Sequence, residues 1–123
     1  MQVICQVSLG ELVDKLTILE IKAKKVQDQV KAQEIGIEME VLSKTLADLQ
    51  LKDIDLFMDP LREVNLTLWG IEDDIRLKEQ KGEFDQSFID LARSVYQQND
   101  LRFQCKDRIN RHFGSTVKEV KLY

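Results

Sequence analysis

Three stretches that read as helix carry polar side chains where apolar ones belong, and these are the residues whose chemistry matters most. In "LWGIEDDIR", residues 68–76, three consecutive acids stand among apolar neighbours. With Leu61 as zero and about 100° per residue, Val64, Leu68, Ile71 and Ile75 form one stripe within roughly 80° of it. Glu72 falls near 20° and Asn65 near 40°, roughly next to that stripe, and Arg76 near 60°, one turn beyond Glu72, whereas Asp73 and Asp74 point away. In the last helix the stripe of Phe88, Leu91, Ala92 and Val95 resumes at Ile109 and Phe113, and Asn99, Arg102 and Lys106 occupy it in between. Glu20 lies one turn beyond Leu16 at the edge of the first helix's stripe. Glu20, Asn65, Glu72, Arg76, Asn99, Arg102 and Lys106 would therefore converge if the first, third and fourth helices pack face to face. An unpaired charge in a core is costly, so such residues are expected as a mutually neutralising set. Three readings of the set are open. It can be a closed salt-bridge network that fixes helix register, a small polar pocket that binds a ligand or serves a small enzyme, or a set of positions that are simply exposed to solvent.

Other chemistry finds less support. His112 is the one histidine and sits near a helix C-terminus, where a cation complements the helix dipole. No serine or cysteine has a histidine partner in sight, and there is no P-loop, GxGxxG or HExxH. Glu11 and Asp14 are spaced to share a cation, but Glu11 is explained as a capping residue and a hard divalent ion needs more oxygen ligands. No metal and no cofactor are expected. Trp69 and Tyr96 lie about 80° off their stripes, the place of flanking aromatics at a helix interface.

The elements that must position this set are helical. "SLGE" forms a capping box at Ser8 and Glu11, with Val7 and Leu12 as a hydrophobic staple, so the first helix starts at Leu9. Its stripe is Leu9, Leu12, Leu16, Leu19, Ala23 and Val26; a second stripe runs Ile35, Met39, Leu42, Leu46, Leu49. On one straight helix the two would lie roughly 120° apart, so a break near Asp28–Glu34 is the simpler account. Asp59 followed by Pro60 predicts the start of the third helix, which runs to about Lys81 and ends at Gly82. Asp85 caps the fourth, which runs to about His112, with Phe84 and Ile89 as a staple and Gly114 as terminator. "QVICQV" at the front and "STVKEVKLY" at the end alternate in strand fashion and would pair, if at all, as a two-stranded ribbon lying on the bundle. The expected architecture is all-α, an antiparallel bundle of three to four helices in one domain, residues 1–123, with a short N/C-terminal β ribbon as an option.

Composition sets the remaining limits. Of 123 residues, 43% are apolar and 33% charged, a globular balance, and five glycines with one proline leave little turn content. No apolar run of membrane-spanning length exists, and "MQVICQVSLGE" is not a signal peptide, so no membrane partner and a cytoplasmic location are expected. Cys5 and Cys105 form no CxxC and read as reduced thiols. Net charge is −4, which with no exposed aromatic platform argues against nucleic acid. From Arg102 to Tyr123 six basic and two acidic residues make the tail locally +4, so the rest carries −8 and the basic end is expected to pack on acidic earlier helices. Ile18 and Ile21 lie far round the first helix from its stripe and call for a second apolar partner, either the terminal ribbon or another copy of the chain.

"VSLGELVDKLTILEIK", "NLTLWGIEDDIRLKE", "FIDLARSVYQQNDLRFQCKDRIN" and the ending "KEVKLY" together resemble the uncharacterised DUF6165 family of small bacterial and phage proteins, over nearly the whole chain. The patterns SxGExxDKxTILxIK, LWxIEDxIR and VYxxNDxR carry the resemblance. It implies no activity. It implies that Glu11, Asp14, Lys15, Glu20, Lys22, Glu72, Asp73, Arg76, Asn99, Asp100 and Arg102 belong to the family's blocks, and it leaves residues 28–58 out of any site. The resulting expectation is a non-enzymatic binding or assembly module, with a homodimer and an unidentified small-molecule or protein partner as candidates. The alternative is a small enzyme or metabolite binder using the constellation above.

Overall fold

The computed structural model describes residues 1–123. Four helices follow in order: α1 Leu9–Lys25, α2 Gln29–Asp48, α3 Ile54–Lys81 and α4 Gln86–His112. Ser8 opens α1 as expected, its hydroxyl accepting from the Glu11 N–H at 3.1 Å. Asp28 caps α2, accepting from the N–H groups of Val30 at 2.8 Å and Lys31 at 3.1 Å, so the break falls at Val26–Asp28, slightly earlier than the two apolar stripes predict. Gly82 ends α3 at φ 66°, with the Glu83 N–H returning to the Lys78 carbonyl and the Gly82 N–H to that of Glu79. Asp85 accepts from the Phe88 N–H at 3.0 Å and opens α4.

Two expectations need correction. The third helix begins at Ile54, not Pro60, and Pro60 lies inside it. Ile54, Phe57, Met58 and Leu61 continue the core stripe upstream, and burying them extends the helix past the proline. Pro60 offers no N–H to the Leu56 carbonyl, which lies on a solvent-facing residue where water can serve it. Asp59 therefore does not cap; it pairs with Arg62 at 2.8 Å. The terminal ribbon is also absent. Neither end contains a strand, and Val3, Ile4, Val120 and Leu122 stay exposed. Two strands without a third have too little to bury. The C-terminal tail is tethered instead through Ser115, which accepts from the Leu9 N–H at 3.2 Å, and through Glu119.

α1 is the central element, packing against each of the other three helices, while α2 packs on α1 alone and α3 and α4 form the long hairpin. The core is Leu12, Val13 and Leu16 of α1 with Met58, Leu61 and Ile109. Leu42 and Leu46 of α2 close it from the other side. From Trp69 through Gln98 the hairpin holds no fully buried residue, because α1 ends before it can cover that length. Ile21 is buried within the chain and Ile18 half-buried, so these residues no longer call for a second copy. No helix is long and apolar enough to cross a membrane.

Candidate functional site: a buried ion cluster centred on Asp14

α1 is buried over more than one stripe. Opposite Leu12, Leu16 and Leu19, a second line of Gly10, Asp14, Thr17 and Ile21 faces the α3–α4 hairpin, and all four are buried. Gly10 lets the helices touch. A Cβ there would stand 2.6 Å from the Lys106 carbonyl oxygen. Its N–H donates to the Asn110 side-chain oxygen at 2.6 Å, which fixes the start of α1 against the end of α4.

One turn on, the Asp14 carboxylate is only 1% exposed. Arg102 donates to it twice, from Nε at 3.0 Å and from a terminal nitrogen at 2.5 Å. Asn65 donates from Nδ2 at 2.9 Å, and the same nitrogen reaches the Thr17 hydroxyl, which in turn donates to the Asp14 backbone carbonyl at 2.7 Å. A carboxylate only accepts, so the Asn65 amide must present its nitrogen here. Lys106 lies 3.8 Å from the other Asp14 oxygen and pairs with Glu11 at 2.7 Å and Glu119 at 3.3 Å. Lys121 pairs with Glu119 at 2.9 Å. Three cations (Arg102, Lys106, Lys121) thus balance three anions (Asp14, Glu11, Glu119), and no buried side-chain nitrogen or oxygen lacks a partner.

The titration behaviour follows from this. The hydrogen bond from Arg102 to Asp14, partly offset by desolvation, holds the guanidinium above its usual range. Glu119 is held below the ordinary carboxylate range, first by Lys121 and then, against partial desolvation, by Lys106. Burial pushes the Cys105 thiol up, opposed by Arg108.

The expected constellation is split across three places. Asn65, Arg102 and Lys106 do meet, but around Asp14. Glu20 does not reach them; it grips Arg62 through both oxygens, at 2.9 and 3.2 Å, in a separate cluster with Asp55 and Asp59. Arg62 is held above its usual range chiefly by Glu20. Glu72 does not face Asn99, Arg102 and Lys106. It is half-exposed and pairs with Arg76, itself exposed, at 3.1 Å. The helical phase assigned to Glu72 is the inward one, but α1 stops short and leaves nothing opposite. Asp73, Tyr96 and Asp100 are exposed. Lys15 pairs with Glu38 of α2 at 3.3 Å, and Lys22 and Trp69 line a different cleft. Asn99 borders the Asp14 cluster on its open side, where Asn99, Arg102, Phe103, Lys106, Glu119, Lys121 and Tyr123 surround a polar cleft of about 280 Å³.

Asp14 belonged to the family blocks, yet its centrality, and the roles of Thr17, Asn110, Arg62, Glu119 and the Glu11 side chain, were missed. The available signal was the spacing Gly10, Asp14, Thr17, Ile21, a continuous helical stripe of i, i+4, i+7, i+11. Glu11 serves Lys106 instead of closing the capping box. No three histidine, cysteine or carboxylate side chains gather as a metal site would require.

A family model described as a family of unknown function, DUF6165, matches residues 1–123. The chain belongs to DUF6165. No curated protein and no solved structure matches it. The Asp14 cluster belongs to the internal framework of a DUF6165 member, built from residues of its first and last helices together with Asn65 and the tail residues Glu119 and Lys121.

Proposed function

We propose that this DUF6165 protein is a non-enzymatic binding module whose charged inter-helical site is the cleft beside the Asp14 cluster, and that its ligand is a small anion. The observation that carries this reading is the unequal use of Arg102. Asp14 takes two of the five N–H groups of a guanidinium that remains 30% exposed, so donors are left toward the cleft that Asn99, Lys106 and Lys121 also line. The enzyme reading finds less support. The two acids it needed, Glu20 and Glu72, lie away from the cleft, and His112 is stacked against Phe57 and Phe113 with ring centroids 4.4 and 4.7 Å away.

The test is an amide chemical-shift titration with acetate, citrate and phosphate. Saturable shifts at Asn99, Arg102 and Lys106, weakened in Asn99→Ala and Lys121→Ala, support the reading. Both variants spare Asp14. No localised shift with any of the three anions overturns it.

A second reading, assembly with another copy, rests on α2. Its inner face, with Ile35, Met39, Leu42 and Leu46, lies on α1, but Val30, Ile37 and Val41 form an outer stripe with each residue more than half exposed. Light scattering over a concentration series decides it. A dimer that Ile37→Glu converts to monomer supports assembly, and a monomer at every concentration removes it.

A further inference from the structure

A second cleft lies away from the Asp14 cluster, where the turn between α1 and α2 opens against α3. It has a volume of about 560 Å³, in the range of small-ligand sites. Leu19, Val26, Ile35 and Trp69 give it apolar walls. Leu19 is buried, and the other three are half-exposed, so apolar surface faces the opening. Around the mouth stand Lys22, Lys25 and Lys31 with Glu34 and Glu38. Glu38 is neutralised by Lys15 at 3.3 Å. None of the three rim lysines forms an ion pair, and neither does Glu34, which leaves a local excess of two positive charges.

Helix dipoles account for part of this charge. Lys22 and Lys25 lie in the last turn of α1, where cations are favoured. Lys31 has no such dipole explanation. It stands in the first turn of α2, at the end of the helix where a positive charge is disfavoured, and the acid at that end, the N-cap Asp28, is taken up by the N–H groups of Val30 and Lys31. An anion seated at the cleft mouth would offset all three lysines at once, while its apolar body covered Trp69 and Ile35.

We infer that this cleft is a binding site for a small organic anion with a flat apolar body and one negatively charged end. Trp69 supplies the stacking wall, Leu19, Val26 and Ile35 the apolar floor, and Lys22, Lys25 and Lys31 the charge that selects the anionic end. The site shares no residue with the Arg102–Lys106 cleft, so it stands or falls separately from the reading above.

Trp69 is the only tryptophan, so its emission reports this cleft directly. The full-length protein is titrated with anilinonaphthalene sulfonate, following Trp69 quenching and energy transfer to the dye, and the dye is then competed with naphthoate in one arm and decanoate in another. The expected result is saturable one-site quenching that weakens at high salt and is reversed by naphthoate at lower concentration than by decanoate. Lys31→Gln and Lys22→Gln, both at exposed positions, should each weaken binding by roughly threefold with unchanged circular dichroism. Stronger competition by decanoate would overturn the flat-body assignment. Dye fluorescence without Trp69 quenching, or quenching indifferent to salt and to both lysine substitutions, would overturn the site.

Discussion

Asp14 and Arg102 meet in a two-point contact across the crossing of α1 and α4, and the carboxylate they share with Asn65 is almost wholly shielded from water. Removing one partner of such a pair leaves the other buried and uncompensated, which costs far more than an exposed pair is worth. Asp14→Asn should therefore destabilise the fold by about 3 kcal/mol in urea denaturation. Arg102→Ala should act similarly, and the double variant should fall well short of the sum because both act on one network. A loss below about 1 kcal/mol for Asp14→Asn would mean that the cluster is solvated in solution.

Gly10 and Gly36 give a test with opposite signs. A methyl group at Gly10 would drive into the Lys106 backbone, and backbone cannot swing aside. Gly10→Ala should cost about 1–3 kcal/mol through overpacking. Gly36, within α2, has open space around its Cβ position, so Gly36→Ala should stabilise by roughly 0.5–1 kcal/mol as a better helix former. Thermal melts of the two variants should move in opposite directions from wild type.

The helices were legible in the sequence where a local rule controls them. Ser8, Asp85 and Gly82 act through atoms within a few residues of themselves, and all three behave as their types predict. Pro60 misled because the local signal of Asp59–Pro60 was outweighed by burial of Met58 and Leu61, a tertiary effect. For the site, helical phase named the inward face of α3 correctly but could not tell how far α1 reaches along it. Asn65 lies under α1 and is buried, while Glu72, two turns further on the same face, lies beyond it and is exposed. The place of Asp14 is hidden in the sequence for a related reason. A single apolar stripe leaves Asp14 unexplained, and α1 in fact buries two faces, Leu12, Leu16 and Leu19 on one and Gly10, Asp14, Thr17 and Ile21 on the other.

Glu72 turns that difference into a measurement. Its only partner is Arg76, one turn along on the same exposed face. Exposed pairs of this kind contribute little, so Glu72→Gln and Asp74→Asn should each change stability by less than ~0.5 kcal/mol. A cost for Glu72→Gln approaching that of Asp14→Asn would show that something covers this face in solution.

The two thiols should separate by reactivity. Cys5 is exposed, whereas Cys105 is half-buried and its thiol is pushed up by burial, which lowers the thiolate fraction at any given pH. Iodoacetamide should modify Cys5 first, and Cys105 should catch up only in denaturant or at distinctly higher pH. Mass spectrometry of a time course reads this directly, and equal rates in the native protein would mean that partial burial does not protect Cys105.

Glu119 makes docking of the tail depend on acid. Its carboxyl is held down in the folded protein by Lys121 and Lys106, so its contribution is present above the ordinary glutamate range and is lost as pH falls through the lowered value. About a third of the side chain remains in water, so the contribution is small, roughly 0.5 kcal/mol or less. Glu119→Gln should therefore match wild type in strong acid and be slightly less stable at neutral pH, with the gap opening as pH rises through the acid range. Amide exchange sharpens the test. At neutral pH the variant should lose protection at Ser115, whose N–H bonds the Asn110 carbonyl at 2.8 Å, while Ile109 in the core keeps its own. If Ser115 exchanges at the same rate in both proteins, the tail is held by something other than the Lys106–Glu119–Lys121 chain.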